Sequence, residues 1–395
     1  MGTKLPKGFT ANGIHSGLKK KRKDLSLFFS SELCEFAALF TKNVVKAAPI
    51  IVGEDILERS KGLRAVIVNS GNANCMTGDE GIKDAKRMCS ITAKALGVKE
   101  NEVFVSSTGI IGRRMDLTPV EKGMKDLVGG LSVDGFQLAA EGIMTTDKFM
   151  KVATAEFKLN GKKVIISGVT KGAGMVKPEM ATMLAYILTD ASISKSALLN
   201  LLKEVNDETF NAITVDGDMS TNDTVVLLAN GKAGNRKIES GDSGYLLFKE
   251  HLADVMTRLA KMIVEDGEGA SRIMDIKVKG AGTKKEARQV AGAIADSLLL
   301  KCAVHGGDPN WGRVAAAAGA AGVDFDPDKM EIALDNVVFF RNAKCIVPSK
   351  AKRNKVFKGK EVEITVDLHE GQCDARMWAS DMTREYIKIN SFYST

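Results

Sequence analysis

Runs of apolar residues, some unbroken and some alternating, divide the chain into strands and helices. Residues 63–71, LRAVIVNSG, form a continuous apolar run that ends at glycine, the mark of a buried strand. Residues 80–97 place Ile82, Ala85, Cys89, Thr92 and Leu96 at helical spacing, with Gly97 positioned as a C-terminal cap. VFVSSTG, residues 103–109, reads as a second strand ending in small residues. VATAEFKLNGKKVIISGV, residues 152–169, alternates on either side of Asn160-Gly161, which predicts a hairpin closed by a type I′ turn. A helix is expected around Ser194–Glu208, followed by AITVDGD and the strand DTVVLLAN. A long amphipathic helix from about Leu246 to Val264 carries Leu247, Met256, Leu259, Met262 and Ile263. The last third reads strand, helix, strand, helix, as MDIKVKG, KKEARQVAGAIADSLLL, KCAVHGG and WGRVAAAAGAAG. Three strand-like runs then close the chain, VEITVDL among them. Strands and helices alternating in blocks predict a layered mixed α/β fold, and a domain boundary is expected near Gly280–Thr283.

Composition changes this picture little. The 395 residues are 44% apolar and 27% charged with only 7 prolines, which suits a soluble enzyme without long linkers. The formal charge of +7 is spread along the chain. The one dense basic run, KKKRK at residues 19–23, reads as a solvated turn, because Asp24 ends it and no aromatic residues interleave as stacking platforms. None of the six cysteines forms a C-x-x-C pair or a zinc-spaced Cys/His cluster, so buried reduced thiols and no metal are expected. The N-terminus has no apolar leader and no window reaches membrane-spanning length, so a cytoplasmic location is expected.

Common chemistries are missing. The G-x-G pairs starting at Gly172, Gly267 and Gly280 do not extend to a dinucleotide fingerprint. There is no phosphate-binding G-x-x-x-x-G-K-[ST] loop, no H-E-x-x-H and no G-x-S-x-G. DGDMSTNDT has the acids of a calcium loop, but position 227, where its bidentate glutamate would stand, is leucine. His15, His251, His305 and His369 are scattered, so a histidine-dependent triad requires distant segments to converge.

One hydroxyl stands out. Thr182 lies at the head of the apolar run MLAYILTDA, behind the glycine-rich approach KGAGMV at residues 171–176. It is either an ordinary strand threonine or a nucleophile. As a nucleophile it needs a base, and its own α-amine, with a reference pKa of about 7.7–8.0, is suited to that role. That amine exists only if the Ala181–Thr182 bond is cut, by attack of Thr182 Oγ on the Ala181 carbonyl and hydrolysis of the resulting ester. The small residues of SSTGIIGRR, residues 106–114, form either a turn or a set of donors for an oxyanion.

KGAGMVKPEMATMLA resembles the autoproteolytic signature of the ornithine acetyltransferases, also called glutamate N-acetyltransferases. PKGFTANGIHSG, NSGNANCMTG, SSTGIIG, IMTTDKFMK, TVDGDMSTNDT, DGEGASR, GGDPNWGR and INSFYST match that family in order, so nine segments from Pro6 to Thr395 carry the resemblance. The resemblance implies a layered αββα sandwich of the N-terminal-nucleophile type with a smaller C-terminal α/β domain. Residues 1–280 would form the catalytic domain, and residues 281–395 the smaller one, whose tail returns to the active site. Thr182 would be the nucleophile and new N-terminus, and Thr108 and Gly109 the oxyanion hole. Thr145 or Thr146, Lys171, Glu268, Asn390 and Thr395 would line the substrate site, with Glu268 suited to an amine and Lys171 to a carboxylate. The activity implied is ping-pong transfer of acetyl from N-acetylornithine to glutamate through acetyl-Thr182, with acetyl-CoA as a further donor in some members and no cofactor. Chains 1–181 and 182–395 would pair into a heterotetramer, with no nucleic acid and no membrane involved. Position 173 is alanine where many of that family carry serine, which leaves only a backbone role there. Two other readings stay open: a self-cleaving amidase or aminopeptidase that gives its acyl group to water, and a basic non-catalytic binding protein.

Overall fold

The computed structural model describes residues 4–177 and 183–392, so Ala181, Thr182 and Thr395 lie outside the described residues. The chain opens with β1 (Phe9–Ile14), β2 (Leu25–Phe40), α1 (Ala48–Arg59), β3 (Leu63–Asn72), α2 (Gly78–Leu96), β4 (Val103–Ile110), α3 (Thr118–Gly129) and α4 (Phe136–Ile143). Next come β5 (Lys151–Leu159), β6 (Lys162–Lys171), β7 (Leu184–Thr189), α5 (Lys195–Glu208), β8 (Ile213–Thr214), β9 (Thr224–Ala229) and α6 (Ser243–Glu265). The rest is β10 (Ile273–Ala281), α7 (Lys284–Asp296), α8 (Leu298–Gly306), α9 (Trp311–Gly319), β11 (Glu331–Leu334), β12 (Val337–Arg341), β13 (Lys344–Cys345), α10 (Lys350–Arg353), β14 (Glu361–Asp367), β15 (Cys373–Ser380) and α11 (Arg384–Phe392).

Two mixed sheets with helices against them make an α/β sandwich. The first runs β4-β3-β2-β9-β7-β6-β5, with β1 paired to β2; the second runs β13-β12-β11-β14-β10-β15-β8. The middle of the first sheet is buried on both faces, which is why β3, β7 and β9 read as unbroken apolar runs, while the edge strand β5 alternates and exposes Glu156 and Lys158. In β7, Leu184, Tyr186 and Leu188 pack with residues of α1–α4, while Ala185 and Ile187 join the core formed with α5 and α6. That is the period of two expected of a strand. β7 and β9, which follow residue 182, lie side by side in the middle of this sheet, between β2 and β6, which precede it.

Local signals behave as their chemistry requires. Asn160 (φ 49°) and Gly161 (φ 76°) are both left-handed, as a type I′ turn demands. Gly97 closes α2 in the left-handed region at φ 68°.

Three expectations fail. KCAVHGG is helix, not strand: Ser297 breaks the expected single helix and caps α8, accepting a hydrogen bond from Leu300 N–H, and Gly307 ends α8 left-handed. The buried Leu300, Ala303 and Val304 fall at helical spacing. The helix expected over WGRVAAAAGAAG is shorter than that run, because α9 ends at Gly319, and it buries only Val314 and Ala318. Of the six free cysteines, Cys34, Cys75 and Cys89 are buried, but Cys302 and Cys345 are exposed and Cys373 is half-buried. No helix among the described residues is long and apolar enough to cross a membrane.

Candidate active site

The parallel strands β3 and β4 end together with Gly71 opposite Gly109. Gly109 has φ 136°, and a Cβ there would stand 2.3 Å from the Gly71 carbonyl carbon, so only glycine fits. The adjacent Thr108 is buried, and its Oγ1 accepts a hydrogen bond from Lys171 Nζ at 3.2 Å. Accepting there leaves the hydroxyl hydrogen of Thr108 to donate to another oxygen. Asn222 ties this strand end down, its Nδ2 donating to Ser107 O at 2.8 Å and Ala73 O at 2.7 Å.

Lys171 is the last residue of β6, opposite Leu184, the first of β7. It is 4% exposed, and burial lowers its pKa against the opposing pull of Asp147. Beneath it lies an ionic network that sequence reasoning missed. Asp147 accepts from Lys151 Nζ at 2.6 Å, from Gly172 N–H at 2.8 Å and from Thr145 N–H at 2.9 Å. Lys151 also reaches Asp266 at 2.5 Å, and neither side chain of that pair is exposed. Burial alone would raise the Asp147 carboxyl, but Lys151 and Lys171 outweigh it and hold the group down at about 2. The only sequence signal was Asp147 and Lys151 four apart within the IMTTDKFMK segment.

The glycine approach is clasped from both sides. Asp216 accepts from Met175 N–H at 2.6 Å and Val176 N–H at 2.8 Å. Ala173 O accepts from Glu268 N–H at 2.8 Å, a backbone role that needs no serine. Asn390 of α11 donates to Glu268 Oε2 at 2.9 Å, and Tyr386 O–H to Asp216 at 3.2 Å. The C-terminal helix α11 is therefore docked beside the glycine approach. A Cβ on Gly174 would lie 2.6 Å from the Glu268 carboxyl. Gly174→Ala is expected to displace that carboxylate from Asn390 and lower kcat/KM by roughly 10-fold, a loss the size of one charged hydrogen bond, with the melting temperature little changed. Steady-state kinetics beside thermal melts checks this.

Where the chain resumes, Met183 N–H donates to Asp223 Oδ1 at 3.0 Å. Asp223 is fully buried, and burial pushes its carboxyl well above the usual carboxylate range. Its Oδ2 has no partner among the described residues.

The structure thus brings Thr108, Gly109, Thr145, Lys171, Glu268 and Asn390 to one region, with Thr146 half-buried beside Thr145. Ala181, Thr182 and Thr395 lie outside the described residues. Lys171, expected at a substrate carboxylate, is buried and donates to Thr108 Oγ1.

The basic run is not simply a solvated turn. Buried Asp24 organises residues 15–19, accepting from Ser16 N–H and Oγ–H, Gly17 N–H and Lys19 N–H at 2.6–3.1 Å. Lys20 and Lys21 are exposed, but Lys19 turns inward and donates to Met144 O at 2.9 Å.

Two features elsewhere do not compete with this site. Ser271, His305 and Asp381 converge, but Ser271 Oγ–H (2.5 Å) and His305 Nδ1 (3.2 Å) both address Asp381 Oδ2. The imidazole is not interposed between hydroxyl and carboxylate, so this is not a nucleophilic triad. A cavity of about 980 Å³ between β10, β15 and α7 shares no lining residue with the site.

The ArgJ family model matches residues 10–395. The chain is 43% identical over 397 residues to the arginine biosynthesis bifunctional protein ArgJ of Symbiobacterium thermophilum, with 100% of this chain and 98% of that protein covered. It is 43% identical over 396 residues to the protein of the same name from Thermotoga neapolitana, covering 99% of this chain and all of that one. It is also similar to the crystal structure of the arginine biosynthesis bifunctional protein ArgJ from Bacillus halodurans, with 36% identity and a TM-score of 0.51, covering 53% of this chain and 98% of that chain.

Proposed function

The chain belongs to the ArgJ family, and on that premise we propose that it is a self-cleaving acetyltransferase of arginine biosynthesis. Thr182 Oγ attacks the Ala181 carbonyl, water hydrolyses the ester, and the freed Thr182 amine becomes the general base. Thr182 then takes acetyl from N-acetylornithine and ornithine leaves. The amine of glutamate next attacks the acetyl-threonine ester, giving N-acetylglutamate and restoring the hydroxyl. The hydroxyl of Thr108 and the backbone at Gly109 serve the oxyanion formed in each step, a role supported by the Lys171 ammonium that fixes the hydroxyl. Acetyl-CoA is a second donor in this reading, which fits the word bifunctional in the relatives' names. The pieces 1–181 and 182–395 remain together, two of each in a heterotetramer.

The observation that carries this reading is convergence. Lys171 meets Thr108 across 63 positions of sequence, Asn390 meets Glu268 across 122, and both contacts border the loop that leads to Met183. The cut gains support from the solved relative, whose chain is matched almost entirely by 53% of this one; a break after residue 181 leaves 214 of 395 residues in the second piece. The test is an exchange assay with N-acetylornithine and isotope-labelled glutamate. Labelled N-acetylglutamate formed in step with ornithine supports the transferase; ornithine and free acetate alone would make the protein a hydrolase.

A further inference from the structure

We propose that Lys19 is a substrate-binding residue of this site, its ammonium taking the α-carboxylate of the amino-acid donor and acceptor. The inference rests on the transferase reading above and adds to it the group that recognises the acid end of both substrates.

The two substrates share an α-carboxylate, so one cation at the site mouth can serve both halves of the reaction. Lys171 is not that cation, since it is buried with its ammonium on Thr108. Lys151 is fully buried and shared between Asp147 and Asp266. Arg22 is exposed, with its Nη1 3.5 Å from Thr145 O, and it lacks the fixed, half-buried position that Lys19 has.

Lys19 is placed differently. Its stem crosses Gly71, where an added Cβ would come within 2.8 Å of Lys19 Cγ. Gly71 is the in-register partner of Gly109, so the side chain lies over the strand end that carries Thr108 and Gly109. Its head donates to Met144 O, the residue before Thr145. That uses one of three ammonium hydrogens, and among the described residues no carboxylate pairs with it. The position is also fixed in advance. Asp24 holds the loop through four donors, and Asp24 O accepts from Ser70 N–H at 2.9 Å, which ties the loop to the end of β3. A long side chain held this way loses little freedom on binding.

The charges around Lys19 set its pH behaviour. Burial lowers its pKa to about 8; Asp24 and Asp147 oppose that, and Arg22 and Lys171 reinforce it. The ammonium is the binding form, so substrate binding weakens as pH rises through about 8.

Lys19→Met and Lys19→Arg in the full-length chain test the role. For Lys19→Met, KM for both N-acetylornithine and glutamate is expected to rise about 10- to 100-fold, the loss of one charge-assisted hydrogen bond, while kcat changes far less. Self-cleavage going to completion serves as the folding control. Lys19→Arg is expected to recover part of the KM and to move its alkaline rise to higher pH. An unchanged KM in Lys19→Met overturns the proposal, as does a fall in kcat and melting temperature that Lys19→Arg does not rescue. Calorimetric titration with N-acetylglutamate reads the carboxylate contact without turnover. A wild-type chain that binds but does not transfer sinks the transferase reading alone. Equal binding by wild type and Lys19→Met sinks the role of Lys19 alone, and a wild type that does neither overturns both.

Discussion

Thr182→Ala is expected to yield one uncut chain of 42.4 kDa where the wild type gives two fragments meeting at Ala181/Thr182. The substitution removes both the attacking oxygen and the product of its attack. Without Oγ there is no ester, and without the cut there is no α-amine to act as base. Acetyl transfer should fall by a factor on the order of 10⁴ to 10⁶, as when the nucleophile of a covalent mechanism is deleted. Intact mass spectrometry reads the first effect and the exchange assay the second. A cut at the same bond in the variant would show that the hydroxyl is not the attacking group, and the mechanism would then have to be withdrawn.

The second large effect concerns stability. Lys151→Met is expected to cost about 3–5 kcal/mol, because the buried carboxyls of Asp147 and Asp266 lose the one cation they share. The side chain is nearly isosteric, so packing is kept and the loss is electrostatic. Denaturant unfolding at several pH values separates the two. Asp147 has a folded pKa of about 2 against an ordinary 3.8. A carboxyl held down in this way contributes stability that is present above its ordinary pKa and is lost as pH falls toward the folded one. The gap between wild type and variant should therefore be full near pH 7 and shrink between about pH 4 and pH 2. A gap independent of pH would mean that packing, not charge, had been disturbed. Because Asp147 also holds Thr145 and Gly172, activity should fall with stability.

The sequence made the first sheet legible because unbroken apolar runs have few alternatives once turns such as Asn160-Gly161 punctuate them. It was least informative where a short segment carries helical and strand patterns equally well. LLLKCAVHGG is an example: Ser297 and Gly307 decided for helix, and both are cap signals rather than propensities. The candidate site was legible where residue type and order match a known signature, as at Thr108, Lys171, Glu268 and Asn390. Partners reached only through folding were not. Asp266 stood two positions from Glu268 and read as part of its loop, yet it is the far end of a buried ion pair with Lys151. Asp223 read as part of a rejected calcium loop, yet it holds the amide of Met183. Lys19 read as one charge in a basic run, and only Asp24 distinguishes it from Lys20 and Lys21 by fixing which one turns inward.

The order of strands in the first sheet has a consequence for how this molecule is made. Once the bond before Thr182 is cut, β7 and β9 belong to one polypeptide and the strands flanking them, β6 and β2, to the other. The two pieces are then threaded through each other, with a hydrogen-bonded seam on either side of the pair. Assembly of the uncut chain is a first-order event, governed by contacts within one molecule. Reassembly of the cut form from separated pieces would be second-order, dependent on concentration and in competition with aggregation through unpaired strand edges. The proposed cleavage would therefore act as a ratchet. It would leave the native contacts in place but remove the tether under which they formed, so the cut protein would persist through slow unfolding rather than through ready refolding.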